Sequence, residues 1–201
     1  MYRIVKSLLC RHVLLTCILL FGVVSPIYAE GTSYAEGTSY AEGTITLSKS
    51  KIKLSYLVNF ARYVRWPTNA FTNSDSPVII AIDNEHPYSE TLDNKKVGIT
   101  KDGRDIVFKS CSTPPGSKDV HIIYIQEDTS TFVGIDAKQF GGSTLTVGDA
   151  QDFIHSGGVI QLMDRGRNIA FSINQKMAQK LGLNIHYKIL KMAQPLEGSG
   201  S

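Results

Sequence analysis

Between Leu47 and Trp66 the apolar residues recur at helical spacing. Ile52, Tyr56 and Phe60 form one line, with Leu54, Leu57, Val58, Ala61 and Val64 beside it, and this wide face predicts a single amphipathic helix. Pro67 ends it. After Pro77 the pattern changes to a continuous apolar run, Val78 to Ile82, as expected of a strand covered on both faces; Val120 to Ile125 and Thr144 to Val147 read the same way. Asp102-Gly103 lies between Val97–Thr100 and Asp105–Phe108, the strongest hairpin signal in the chain, and Asp164-Arg165-Gly166-Arg167 lies between two further apolar runs as a second hairpin. Gly148-Asp149 opens a short predicted helix through Phe153 and Ile154. Asn174 caps another that ends at Gly182, and Asn184 opens a last one carrying Ile185, Ile189, Leu190 and Met192. Helices alternating with buried strands predict an α/β class, a mixed β-sheet flanked by helices, in one domain over residues 47–195.

The ends of the chain follow other rules. Arg3, Lys6 and Arg11 precede an uncharged, mostly apolar run from Val13 to Val24, and small residues follow at Ser25 and Ala29, the three parts of a secretory signal peptide over residues 1–29. The run is shorter than the roughly 20 apolar residues of a membrane span. Cys17 lies inside this run, which argues against a lipid anchor at that position. The hexapeptide from Tyr28 then repeats from Tyr34 and, with its last residue changed, from Tyr40, too short a unit to stack as a solenoid. Its Gly, Ser and Glu content predicts a flexible tail over residues 30–46. Each copy recreates a cleavage context, so the mature chain is expected to start at Glu30, Glu36 or Glu42. Residues 196–201, ending in Gly-Ser-Gly-Ser, read as a remnant outside the domain.

Removing the leader changes the charge picture. The chain has 21 Lys and Arg against 18 Asp and Glu, and three of the basic residues lie in the leader, so the mature chain is neutral and carries no basic footprint for nucleic acid. Cys10 and Cys17 also leave with the leader. Cys111 therefore stands alone in an oxidising compartment, either as a small buried residue or as a thiol for an intermolecular bridge.

Catalytic signatures are not found: there is no nucleophile elbow, phosphate-cradling loop, dinucleotide fingerprint or zinc-protease motif. His86, His121, His155 and His186 are about 30 residues apart, without the close spacing that sets two ligands on one turn. His121, between apolar residues of a strand, reads as a satisfied core or interface histidine. Asp83 and Glu85 at a strand end are a carboxylate pair for a ligand or metal, against the alternative of a solvated loop. No enzyme, metal or cofactor is expected.

Four segments in order carry a resemblance: KIKLSYLVNFARYVRWP (51–67), GGSTLTVGD (141–149), GGVIQLMDRGRNIAFSIN (157–174) and LGLNIHYKILKMA (181–193). Together they resemble the YfiR family, and the match extends over about residues 50 to 193. The resemblance implies a periplasmic, homodimeric negative regulator. Such a protein holds the periplasmic part of an inner-membrane diguanylate cyclase, lowers cyclic di-GMP and biofilm formation, and is itself sequestered by an outer-membrane lipoprotein. Members studied as redox-responsive repressors carry paired cysteines, which Cys111 alone does not provide. The alternative is a periplasmic sensor of a small-molecule effector without direct control of a cyclase.

The candidate partner- or effector-binding residues are Arg65, Trp66, Arg165, Arg167 and His186. Arg and Trp are frequent binding anchors, and a guanidinium, an indole and an imidazole together would hold an aromatic or anionic group. Tyr56, Phe60, Tyr63 and Trp66 are three or four residues apart and are expected either to form one surface or to pack in the core.

Overall fold

The computed structural model describes residues 37–111, 120–127 and 142–196, all within one unit of the chain. Residues 1–36, which include the expected leader and the first residues of the repeat tail, and residues 112–119, 128–141 and 197–201 lie outside the described residues.

Helix α1 runs from Gly37 to Tyr63. It begins ten residues before the expected start at Leu47, so the tail predicted to be flexible over 30–46 is helical from Gly37. Extending an existing helix costs far less than nucleating one, and the repeat supplies Ala and Glu, both good helix formers. Leu54, Leu57, Phe60 and Ala61 are buried along one stripe of α1. Tyr56 and Phe60 pack on Phe171 with ring centroids 5.5 and 5.3 Å away, and the Tyr56 hydroxyl donates to the Ile169 carbonyl at 3.0 Å. These two aromatic residues are core, not an exposed surface.

The helix stops earlier than expected at its other end. Val64–Arg65 form a short strand, β1, and the residue before Pro67, Trp66, is disfavoured from continuing the helix. Next come β2 (Val78–Asp83), a one-turn helix α2 (Ser89–Leu92), β3 (Lys96–Ile99) and β4 (Asp105–Cys111). Strands β5 (Ile122–Ile125), β6 (Leu145–Gly148), β7 (Ile160–Arg165) and β8 (Asn168–Ile173) follow. Both predicted hairpins form, β3 with β4 and β7 with β8, and Gly103 and Gly166 turn them with φ of 84° and 69°.

The strands make one seven-stranded sheet in the order β3-β4-β2-β5-β6-β7-β8. The five inner strands are parallel, and β3 and β8 close the edges antiparallel. Every residue of β2, β5 and β6 is buried, which is why their sequences are continuous apolar runs. The larger core lies between α1 and one sheet face, around Phe60, Ile80, Phe108, Tyr124 and Phe171. A smaller cluster on the other face holds Ile79, Ala81, Val120, Ile123, Ile125 and Phe153.

The segment after β6 is not the predicted helix but a series of turns, with Asp152 at φ 61°. Phe153 explains it. Its ring is wedged between two glycines, so that a Cβ built on Gly148 or Gly158 would lie 2.5 or 2.2 Å from the ring. Helix α3 (Gln175–Lys180) forms as expected: the Asn174 side chain accepts from the Met177 N–H at 3.0 Å, and Gly182 follows with φ 70°. The last predicted helix is corrected. Asn184–Ile185 form strand β9, which pairs antiparallel with β1, and only Tyr187–Leu190 (α4) are helical.

Candidate functional site

Because β1 pairs with β9, the end of α1 is tied to the start of α4; the His186 N–H donates to the Tyr63 carbonyl at 2.9 Å. The tip of the β3–β4 hairpin completes a cleft of about 200 Å³, with Arg62, Tyr63, Arg65, Lys101, Asp102 and His186 among its walls. Arg62 lies across β3, its Nη2 only 3.0 Å from where a Cβ on Gly98 would stand, so glycine at this position is what lets the guanidinium lie flat on the strand. Lys101 Nζ sits over the Tyr63 ring at 4.6 Å, and the His186 ring lies tilted by 32° against the Tyr187 ring, their centroids 4.6 Å apart.

The electrostatics of the cleft are one-sided. The single carboxylate in its wall, Asp102, approaches Arg65 at 3.9 Å with both side chains exposed, a geometry that contributes little. Partial burial, followed by the charges of Lys101, Lys188 and Arg65, holds the His186 pKa below the ordinary histidine value. His186 Nδ1 caps α4 by accepting from the Lys188 N–H at 3.2 Å, so the neutral ring carries its proton on Nε2. That Nε2 faces Lys101 Nζ at 3.5 Å. Two donors therefore meet there, and an acceptor such as a carboxylate or phosphate oxygen would satisfy both.

Of the residues expected from sequence, Arg65 and His186 are brought together and the other three are not. The Trp66 indole turns into the sheet: Nε1 donates to the His121 carbonyl at 3.2 Å and the ring stands edge-on to the His121 imidazole. Arg165 and Arg167 are exposed on the β7–β8 hairpin, where Lys49 pairs with Asp164 at 2.6 Å. Lys49 and Arg62 are separated by nearly four helical turns, roughly 20 Å, so the two arginines belong to the far end of the sheet. Tyr63, one of the four aromatic residues expected to form a surface or to pack in the core, lines the cleft, whereas Arg62 and Lys101 carry no sequence signal. Arg62 looks like an ordinary polar residue of an amphipathic helix, and the approach of a hairpin tip some forty residues away leaves no local pattern.

Two further expectations are settled by geometry. Asp83 is buried and accepts from the Glu85 N–H at 2.8 Å, while Glu85 faces solvent, so the two carboxylates do not act as a pair. His121 is a core residue whose Nδ1 accepts from the Ile79 N–H at 3.1 Å and whose ring stacks on Phe71 at 4.5 Å. Among the described residues no cluster of His, Cys, Asp and Glu is arranged to hold a metal ion, and no helix is long and apolar enough to cross a membrane. Cys111 is half-buried, its thiol within 3.3 Å of the Ile82 carbonyl, and burial followed by the Asp83 charge pushes its pKa up to about 11. The thiolate is the reactive form, so alkylation of the native protein at pH 8 should be at least about 10-fold slower than for an unfolded control. Equal rates would contradict this placement.

The family model for YfiR/HmsC-like proteins matches residues 50–194. The chain belongs to the YfiR/HmsC-like family. No curated protein sequence matches the chain. Family membership associates it with regulation of cyclic di-GMP signalling in the periplasm, a regulatory rather than a catalytic role. The match begins within α1 and runs through α4, taking in both sides of the cleft.

Proposed function

We propose that the protein is a periplasmic negative regulator: it binds the periplasmic portion of an inner-membrane diguanylate cyclase as a homodimer and represses cyclic di-GMP synthesis and biofilm formation. The observation that carries this reading is the family match across the domain. The cleft supplies the contact. Arg62, Arg65, Lys101 and His186 present donors to one opening with a single exposed carboxylate among them, a surface suited to an acidic group on the partner.

A second reading rests on the pair of donors at Lys101 and His186, which also suits a free carboxylate or phosphate. In that reading a small anionic effector occupies the cleft and adjusts partner binding. Sequestration by an outer-membrane lipoprotein belongs to the same regulatory scheme.

Arg62→Ala and Lys101→Ala test the site. Each should weaken binding to the cyclase's periplasmic portion by roughly 1–3 kcal/mol while leaving the melting temperature nearly unchanged. His186→Ala is a poorer probe because it also removes the cap of α4, worth about 1 kcal/mol. Unaltered affinity in Arg62→Ala and Lys101→Ala, measured by calorimetry on the folded proteins, would remove the cleft from the interface.

A further inference from the structure

At the opposite end of the sheet, the carboxyl ends of three neighbouring parallel strands collect a buried polar cluster. Asp83 closes β2, Tyr124 lies in β5 and Asp149 follows β6; the turn after β2 brings His86 against them, and α1 delivers Lys53. Asp149 accepts from Lys53 Nζ, from the Tyr124 hydroxyl at 2.7 Å and from the Glu127 N–H at 2.7 Å, so one carboxylate fastens the helix to two strands.

His86 is the unsatisfied member of this group. It is 2% exposed, and its Nδ1 accepts from the Tyr88 N–H at 3.2 Å, which leaves the proton of the neutral ring on Nε2. Nε2 is buried with no hydrogen-bond partner among the described residues. The ring is flanked by Tyr88 at 5.9 Å and Tyr124 at 6.1 Å, neither with an acceptor positioned for that proton. The charged groups that face it are the Asp149 and Asp83 carboxylates, which favour the imidazolium, and the Lys53 ammonium, which opposes it. Lys51 lies over the Tyr88 ring, and Glu85 points to solvent.

We propose that this cluster is an acid-responsive latch, in which protonation of His86 draws Asp149 from Lys53 and loosens α1 from the carboxyl end of the sheet. The added proton goes to Nδ1, where it opposes the Tyr88 N–H and breaks the turn that holds the ring. The new cation then competes with Lys53 for Asp149. Burial, the largest influence on His86, holds its pKa below the ordinary value of 6.5, with Asp149 and Asp83 partly opposing that shift. The folded state therefore binds this proton less readily than the unfolded chain. The stability contributed is complete above pH 6.5 and is lost as pH falls below it. The latch is independent of the regulatory reading, since it requires no partner.

The test is an NMR titration of the full mature chain with isotope-labelled histidine, from about pH 8 to about pH 5. His86 should titrate below 6.5, and the amide signals of Lys53, Tyr124 and Asp149 should move with the same midpoint, accompanied by faster hydrogen exchange in α1 around Lys53. Lys53→Met removes the opposing cation and should raise the His86 midpoint; His86→Gln should leave the Lys53 and Asp149 signals flat across the range. A His86 transition that leaves Lys53 and Asp149 unmoved, an unshifted midpoint in Lys53→Met, or an unchanged profile in His86→Gln would each overturn the latch.

Discussion

Gly158→Ala should destabilise the domain by about 3 kcal/mol or more, close to the limit of what a marginally stable fold survives. A methyl at this position would stand 2.2 Å from the Phe153 ring and 2.8 Å from the Phe153 carbonyl, so a side-chain rotation alone cannot relieve the contact. Gly148→Ala meets the ring from the other side at 2.5 Å and should behave similarly. The cause is separable by a double-mutant cycle. Phe153→Ala alone leaves a cavity and should cost about 3 kcal/mol, but combined with Gly158→Ala the cost should fall well short of additive, because the cavity receives the methyl. Strictly additive losses in urea denaturation would show that the glycines are needed for another reason.

Asp149→Ala should be as damaging. It removes the acceptor shared by Lys53, the buried Tyr124 hydroxyl and the Glu127 N–H, and stranding a partly buried ammonium together with a buried hydroxyl costs about 3–5 kcal/mol. The gradation among variants carries the argument. Asp149→Asn keeps an acceptor but loses the charge and should cost less than Asp149→Ala. Tyr124→Phe removes one donor without orphaning the carboxylate and should cost about 1 kcal/mol. The Tyr124 phenol, its pKa raised by burial and by the charge of Asp149 and the hydrogen bond to it, should resist ionisation throughout the alkaline range in which the protein stays folded. Equal losses for Asp149→Asn and Asp149→Ala would mean that the charge of the carboxylate carries the whole effect.

How far the sequence could be read depended on whether a signal was local. The two hairpins were legible because Asp102-Gly103 and Asp164 to Arg167 carry their turn chemistry within four residues. Strands β2, β5 and β6 were legible because burial on both faces leaves a continuous apolar run. The Asn174 cap and Gly182 were legible for the same reason. Where the reading went wrong, a distant partner overrode local preference. Asn184–Ile185 resemble a helix start until β1 claims them, and Asp149 to Ile154 resemble a helix until Phe153 is drawn between two glycines. In the candidate site, Arg65 and His186 line the same cleft. Trp66 was lost to the core because its N–H found the His121 carbonyl, and Lys101 became visible only once the hairpin tip had a position.

The most direct test of the regulatory account is intracellular cyclic di-GMP in the native host, measured after deletion of the gene and after its return in two forms. Deletion should raise the nucleotide and surface attachment. The wild-type chain should restore both, and a chain carrying Arg62→Glu and Lys101→Glu, exported to the same level, should restore neither. Unchanged cyclic di-GMP on deletion would contradict the account.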